Sequence, residues 1–585
     1  VILFTLTQTS VLTRFYNIQP FVFCAKPSSY TLAAFWVTTF GAPDESDTST
    51  VNISQIVQDY LIGYTALLNS SDVLTTPKSF YWDNAAQLLW LHIEHASSPD
   101  TSVIQQGRSY GFCDTQLIYL DGIEFKPLLK SVPAIAQCQD FLGYSKLALI
   151  NGDAVLNNVG GELDYLIDIP IYGNDANTFY LQERAGVSDY SFEEVIRISS
   201  LYVDDFEMSQ QEMILHLMDK RNAGGAKIPT ETFTASAYPY LADTYVNQVI
   251  PLAFGTIRIS KAIPTNTNTT GTTTFRQALT LTSLGTVQVK IADVWTTKTP
   301  TATDLANGSF TLSSADSRSG TTVFECRVLG SVGIDIDTAA DVIVYLNNRY
   351  LDLAYNESNY NIAEWSAADA MLSEVGVVFD SQIEIAEAIL QLQGGANVGF
   401  RYEIDPDGRR TIRIDDPDRA ESFTIHNEDI MDIEDLGFKT DRSLLAASVK
   451  VEYAKDFNQG ESLISRSIAN YDYVKETYRL IPELEFKTLL PNSTLADARA
   501  LAEANKYMDV PKFLTVKPWG SDFLRLRIYD VGTAELTMGF VDLDSEAVTA
   551  TRPWLGVWKV QVLDVAPDLQ ALSNTVRLAL LEKKF

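Results

Sequence analysis

"GFRYEIDPDGRRTIRIDD", from Gly399 to Asp416, sets carboxylates at Glu403, Asp405 and Asp407, every second position before Gly408. The spacing admits three readings: a calcium loop, an acid/base pair, or a corner where the chain turns. A calcium loop of the EF type wants oxygen ligands at positions 1, 3 and 5, glycine at 6 and a bidentate glutamate at 12. With Gly408 in sixth place the three carboxylates fit, but Ile414 falls at the twelfth. Arg409 and Arg410 would put two cations beside the ion, Pro406 sits within the loop, and the flanks alternate like strands. The turn reading accounts for every residue. Asp405 at i, Pro406 at i+1 and Gly408 at i+3 are the preferences of a type I turn. Gly408 supplies the left-handed conformation of a bulge, which closes a three-residue loop between Asp405 and Arg409. That register sets Tyr402 against Ile412 and Phe400 against Ile414, so apolar side chains share one face. A slip of one residue would oppose Tyr402 to Thr411 and Phe400 to Arg413. The stretch is a corner between two strands.

Short alternating segments of this kind, rich in Thr, Val, Ile, Tyr and Phe and punctuated by Gly, Asn and Asp, recur along the chain. They predict a mainly β protein, β-rich α+β in class. At 585 residues, 46% hydrophobic and 11% aromatic, the chain has ample material for several cores; at about 150 residues per domain it divides into roughly four. We place the boundaries as an N-terminal β-rich domain over 1–165, a β/helical connector over 166–250, a β domain over 251–337, a helical segment over 338–396, and a final domain over 397–585 with a helix inserted at 493–509.

Within that frame, "SFYWDNAAQLLWLHIEH" (Ser79–His95) reads as a hairpin turning at Asp83-Asn84, with Leu89, Leu91 and Ile93 on one face. "SQQEMILHLMDKRNAGG" reads as a helix: Ser209 and Glu212 have capping-box spacing, Ile214, Leu217, Met218 and Arg221 share a face, and Gly224-Gly225 end it. A strand is expected over Pro251–Ile259, and an exposed polar loop or long hairpin tip at "PTNTNTTGTTT" (Pro264–Thr274). "TAADVIVYLNNRYLDL" and "SQIEIAEAILQLQGG" read as amphipathic helices. "STLADARALAEANKYMDVP" is the one helix expected among the later strands, with Thr494 and Asp497 as its capping box and Pro511 at its exit. Two alternating strands end the chain, Trp558, Val560 and Val562 on one and Val576, Leu578 and Leu580 on the other.

The formal charge is −31, from 75 Asp and Glu against 44 Lys and Arg. Such a surface repels phosphate, which excludes tight binding to a nucleic-acid backbone but lets DNA pass without sticking. The densest acidic run, Ile414–Leu436, holds Arg419 as its single Lys or Arg. It reads as a solvated face and loop, or else as one side of an acidic lumen or partner surface. Cys24, Cys113, Cys138 and Cys326 are far apart and form no CxxC; four cysteines allow three pairings and nothing selects one, so free buried thiols are expected. The start, "VILFTLTQTSVLTRF", lacks the basic region and long apolar core of a secretory signal. Val1 is either a processed terminus or a GTG start codon read literally. No run of about 18 apolar residues predicts a membrane helix.

No constellation for catalysis stands out. "HIEH" puts His92 and Glu94 on one strand face and His95 on the other, without the i, i+4 helical spacing of a zincin. His216 and His426 have no visible partners in the sequence. There is no GxSxG, Walker A loop or GxGxxG, and the Gly pairs in "NVGGELD" and "LQGGANVG" read as turns. We therefore expect no enzyme activity and assign no catalytic, cofactor-binding or metal-binding residue.

Several stretches in succession resemble the central hub proteins of phage tails and related injection machines. "VIPLAFGTIRI" is similar to an I-P-h-h-h-G-x-h element (h, hydrophobic) of tail-tip proteins, and "GTVQVKIADVWTTKTPT…NGSFTLSS" to the region that follows it. "IAEAILQLQGGANVGFRYEIDPDGRRTIRI", "ASVKVEYAKD", "ADARALAEANKYMDVP" and "LRLRIYDVG" then resemble, in order, the second half of a hub. The last departs from the pattern, with Tyr529-Asp530-Val531-Gly532 in place of Gly-Asp. The resemblance covers about residues 165–585. It implies tail-tube-like antiparallel barrels, the 397–585 domain among them, in a homotrimer that joins the tail tube and distal tail proteins to a central spike or fibre, with the tape measure protein as a further partner. It also implies a virion location after synthesis in the host cytoplasm, a passage for DNA, and no cofactor. A receptor-binding adhesin of the same particles is the alternative, and a cell-wall glycan hydrolase a more remote one.

Overall fold

The computed structural model describes strands at residues 2–11, 15–19, 22–25, 65–66, 79–83 and 88–92, and then the chain from 105 onward. Outside the description after that point lie 121–122, 134–136, 139–151, 169–170, 183, 185–186, 188, 222–225, 267–270, 337, 431–436, 537–555, 570 and 585. The chain is mainly β with few helices, and it forms two compact units. One comprises Val1–Val132, Asp153–Val195 and Tyr202–Leu217; the other comprises Pro133–Gly152, Ile196–Leu201 and Met218–Phe585.

In the first unit, Ile2–Val11 lies at the middle of a ten-stranded sheet, antiparallel to Asp175–Leu181 on one side and to Gln105–Cys113 on the other. Leu3, Cys113, Phe125 and Phe179 pack in its core. Cys113 is a buried thiol there, its Sγ within hydrogen-bond distance of the carbonyls of Gln116 (2.9 Å) and Phe125 (3.2 Å). The hairpin expected near residue 80 is present. Ser79–Asp83 pairs antiparallel with Leu88–His92 in a separate five-stranded sheet, though Asn84 and Ile93 lie outside the described residues.

The helix expected from Ser209 is a strand. Glu212–Met218 hydrogen-bonds beside Val195–Met208 in the ten-stranded sheet. Met213, Leu215 and Leu217 are buried in alternation with half-buried Ile214, His216 and Met218, a period of two. Ser209 makes the turn between them rather than a helix cap. Its Oγ accepts from the amides of Gln211 (3.2 Å) and Glu212 (3.0 Å), and its own amide donates to the Glu212 carbonyl (2.8 Å). Gly224-Gly225 lie outside the described residues.

The second unit holds a seven-stranded sheet around Thr256–Pro264 and Cys326–Val332, over a core of Phe275, Val287, Val289, Phe310 and Val328. Cys326 is its free buried thiol, pushed up in pKa by burial. The single strand expected over Pro251–Ile259 is broken into Leu252–Phe254, paired with Val377–Phe379, and Thr256–Pro264. Gly255 makes the break. It has φ +59, and a Cβ there would stand 2.0 Å from the Val375 carbonyl oxygen, so only glycine lets the two segments diverge this closely.

Both expected helices of the next segment are present, at Ala339–Leu351 and Ile385–Gly395. A third, Ile362–Asp369, starts from Asn361, whose side chain accepts from the Glu364 amide. They pack with Phe254, Trp365 and the hairpin side chains Phe400, Tyr402, Ile412 and Ile414 in one core.

Beyond the hairpin stands a three-stranded sheet, Leu463–Ser467, Ser448–Tyr453 and Glu483–Lys487, covered by helix Ser493–Lys506. Asn492, not Thr494, caps that helix, accepting from the Leu495 amide at 3.1 Å. It is not alone among the late strands, since Tyr471–Tyr478 is also helical. The closing sheet runs Phe423–Ile425, Val531–Leu536, Gly556–Asp568, Ser573–Lys583, Lys512–Val516 and Gly437–Thr440. Trp558, Val560, Val562, Val576, Leu578 and Leu580 line its core as the alternation predicts.

Candidate functional site: an arginine–carboxylate network behind the hairpin

The hairpin has the expected register, Phe400 opposite Ile414 and Tyr402 opposite Ile412. Gly408 takes φ +80, its amide donates to the Asp405 carbonyl (2.9 Å), and the Asp405 amide donates to the Arg409 carbonyl (2.8 Å). The turn explains the acidic spacing. Asp405 accepts the Arg409 amide at 2.8 Å, and Asp407, at the exposed tip, meets Arg409 Nη2 at 2.8 Å. Burial raises the Asp405 carboxyl in pKa, against the lowering pull of the Arg409 amide and charge. Glu403 points elsewhere, so the three carboxylates do not converge. Among the described residues no three of His, Cys, Asp and Glu gather as a metal site.

What alternation alone does not foresee is the other face. Arg401, Glu403, Thr411 and Arg413 are as buried as their apolar neighbours. Ionised groups are left in such a place only when paired, because solvation lost on burial must be replaced by opposite charge and hydrogen bonds. Arg527 does most of that pairing. Its Nε and Nη2 donate to Glu403 Oε1 at 3.0 and 2.5 Å, and its Nη1 reaches both oxygens of Glu364 at 3.2 and 3.3 Å. Glu364, from the short helix, also accepts the Thr411 hydroxyl at 2.7 Å. Arg401 Nε approaches Glu403 Oε2 to 3.2 Å, and Arg413 pairs with Asp530. Nearby, Arg221 is forked onto Asp219 and donates to the Tyr402 carbonyl at 2.9 Å.

These charges set the protonation of the site. Burial alone would raise the Glu403 pKa, but Arg527, Arg401 and Arg413 outweigh it and hold the carboxyl at about 2. Glu364 is likewise lowered, burial opposing and Arg527 prevailing. The Arg527 guanidinium is raised, Glu403 and Glu364 overcoming the cost of its burial. An acid pinned this far below neutrality does not serve as a proton donor near pH 7. The arrangement acts as a clamp: it ties the helix Ile362–Asp369, the hairpin and the Arg527–Asp530 turn together.

That turn is where the sequence departs from the hub pattern. Tyr529 occupies it at φ +67, the left-handed region that glycine adopts freely. The Asp530 amide donates to the Arg527 carbonyl (3.0 Å), and Asp530 Oδ2 accepts the Arg527 amide (2.7 Å). Bulky tyrosine is thus held in a tight turn, at a conformational cost of roughly 1–3 kcal/mol that the packed, buried ring offsets.

The histidines do have partners, contrary to the sequence reading. His216 Nδ1 lies 2.8 Å from Asp153 and His426 Nδ1 lies 2.6 Å from Glu535, and each imidazole is raised in pKa chiefly by that hydrogen bond. The side chain of His92 and the whole of His95 lie outside the described residues, as do the side chains of Cys24 and Cys138. Three carboxylates of the acidic run from Ile414 are met by distant lysines. Asp415 pairs with half-buried Lys506, Asp418 with Lys559 and Glu421 with Lys584; residues 431–436 lie outside the description.

No family model matches this chain, and no curated protein does. Solved structures of tail and virion proteins are similar to it. A tail protein from Neisseria meningitidis is 9% identical, with 79% of this chain and 95% of that one covered at a TM-score of 0.33. A tail protein of prophage MuSo2 from Shewanella oneidensis is 7% identical over 78% and 95%, also at 0.33. A chain from the virion of a native gene transfer agent is 10% identical over 57% and 85%, at 0.33.

Proposed function

We propose that this chain is a structural component of a phage-type tail, the hub of its baseplate or tail tip. It assembles as a homotrimer, joins the tail tube to a central spike or fibre, and surrounds the passage by which DNA leaves. The observation that carries the reading is the order of elements in the second unit. Helix Ile385–Gly395, the hairpin Phe400–Ile414, strand Ser448–Tyr453, helix Ser493–Lys506 and the turn into Val531–Leu536 follow one another as the hub pattern does. The charge of −31 agrees with it, because a ring of such chains repels phosphate and discourages trapping of DNA in transit. A charged clamp that fixes neighbouring elements suits a scaffold, and on this reading the role is structural rather than catalytic.

Symmetry averaging of the purified assembly by cryo-electron microscopy tests it. The expected image is a ring of three with acidic side chains toward the bore. A stable monomer with no tail partner, or basic side chains lining the passage, overturns the assignment. Turnover of cell-wall glycan that is abolished by one carboxylate substitution would put a hydrolase in its place.

A further inference from the structure

In the second unit, the clamp forms one wall of an open cleft of about 910 Å³. Arg413, Arg419, Arg525 and Arg527 all line it, a concentration of guanidinium groups in a chain that is otherwise strongly acidic. Two of the four are spent. Arg527 is held by Glu403 and Glu364, and Arg413 by Asp530. The other two are not: among the described residues no ion pair joins Arg419 or Arg525 to a carboxylate. Arg419 is half-buried, and its burial and the neighbouring Arg413 lower its pKa against the opposing pull of Glu364 and Asp530. Phe423, Phe523 and Leu526 supply apolar wall between the guanidinium groups.

We propose that this cleft receives an acidic peptide segment of a partner protein. One side-chain carboxylate is chelated by Arg419 and Arg525, and an adjacent aliphatic residue lies against Phe423 and Leu526. A guanidinium fork matches a carboxylate in plane and spacing, and such charge-assisted bonds are about twice as strong as neutral ones. The volume suits a short peptide better than a lone inorganic ion, since ligand clefts of ~300–1,000 Å³ hold organic ligands many atoms in size. Four carboxylates line the cleft: Glu364 and Asp530 are engaged by Arg527 and Arg413, and two more oppose the ligand. Asp429 is turned to the His426 amide (2.8 Å), and Asp522 is exposed at the rim. The inference stands on the cleft alone and holds whether or not the chain forms a ring.

Isothermal titration of the full chain with a synthetic Leu-Glu-Leu-Glu peptide, with inorganic phosphate as the comparison probe, tests it. We expect saturable binding of the peptide, weakened about 10-fold or more by Arg419→Gln and by Arg525→Gln. Asp522→Asn should instead tighten it several-fold, an effect that a merely structural role for these residues would not produce. Circular dichroism of each variant checks folding. The proposal is overturned if the peptide fails to bind the folded chain at millimolar concentration. It is equally overturned if both arginine variants bind as well as the parent, or if phosphate binds as tightly as the peptide and displaces it.

Discussion

Two hairpins of this molecule, Phe400–Ile414 and Val195–Met218, have the same local architecture and opposite legibility. In the first, the turn residues and the alternation of the arms agree, and the structure has the expected register pair for pair. In the second, Met213, Ile214, Leu215, Leu217 and Met218 satisfy a period of two and a period near 3.6 equally well. A serine followed by glutamate three residues on then tips the reading toward a helix. Ser209 does satisfy backbone amides, but those of a tight turn. Hydrophobic pattern alone leaves the element open, and the turn chemistry decides it only where it is unambiguous.

The largest expected effect sharpens what the first hairpin hides. Glu403→Gln leaves buried Arg401 and half-buried Arg527 against a neutral side chain and should cost about 3–5 kcal/mol in urea unfolding of the second unit. A loss under about 1 kcal/mol would mean the network is not a clamp. The same residue makes a pH prediction. Its folded pKa of about 2 lies below the ordinary 4.5, so its stabilisation is complete above pH 4.5 and is lost as pH falls from there toward 2. Thermal melts through that window should fall steeply in the parent and less so in Glu403→Gln.

Next in size, the second hairpin can be broken by position. Leu215→Ala should cost about 2–5 kcal/mol, whereas His216→Ala, its outward neighbour, should stay within about 0.5. Comparable losses at Ile214 and Met218, with little at Leu215, would restore the helix. Gly408→Ala, at φ +80, should cost roughly 1–2 kcal/mol by denaturant midpoint, because alanine resists the left-handed region. The smallest effect belongs to the other turn: Ser209→Ala removes one acceptor of two amides and should cost about 1 kcal/mol.

The strand-rich class, the C-terminal pair of strands and the helices at Ala339–Leu351, Ile385–Gly395 and Ser493–Lys506 were legible because each has its own local signal. The charged face of the first hairpin was not. Alternation sends Arg401, Glu403 and Arg413 away from the apolar core, which from sequence means toward water. What covers them is Arg527, 124 residues from Glu403, and Glu364, 163 residues from Arg527. No short-range pattern encodes so distant a partner. The cap of helix Ser493–Lys506 was missed for a smaller reason: Asn492 lies directly before the residues that drew the eye, and either Asn492 or Thr494 makes an acceptable start.

Ionic strength acts on charges only where its counterions can approach them. Mobile ions crowd an exposed pair such as Arg184 with Glu194 and slacken it as the medium grows saltier. Glu403 and Arg401, each with about 3% of the side chain open, lie beyond that atmosphere. Rising salt therefore loosens this inner pair far less than it loosens the exposed ones.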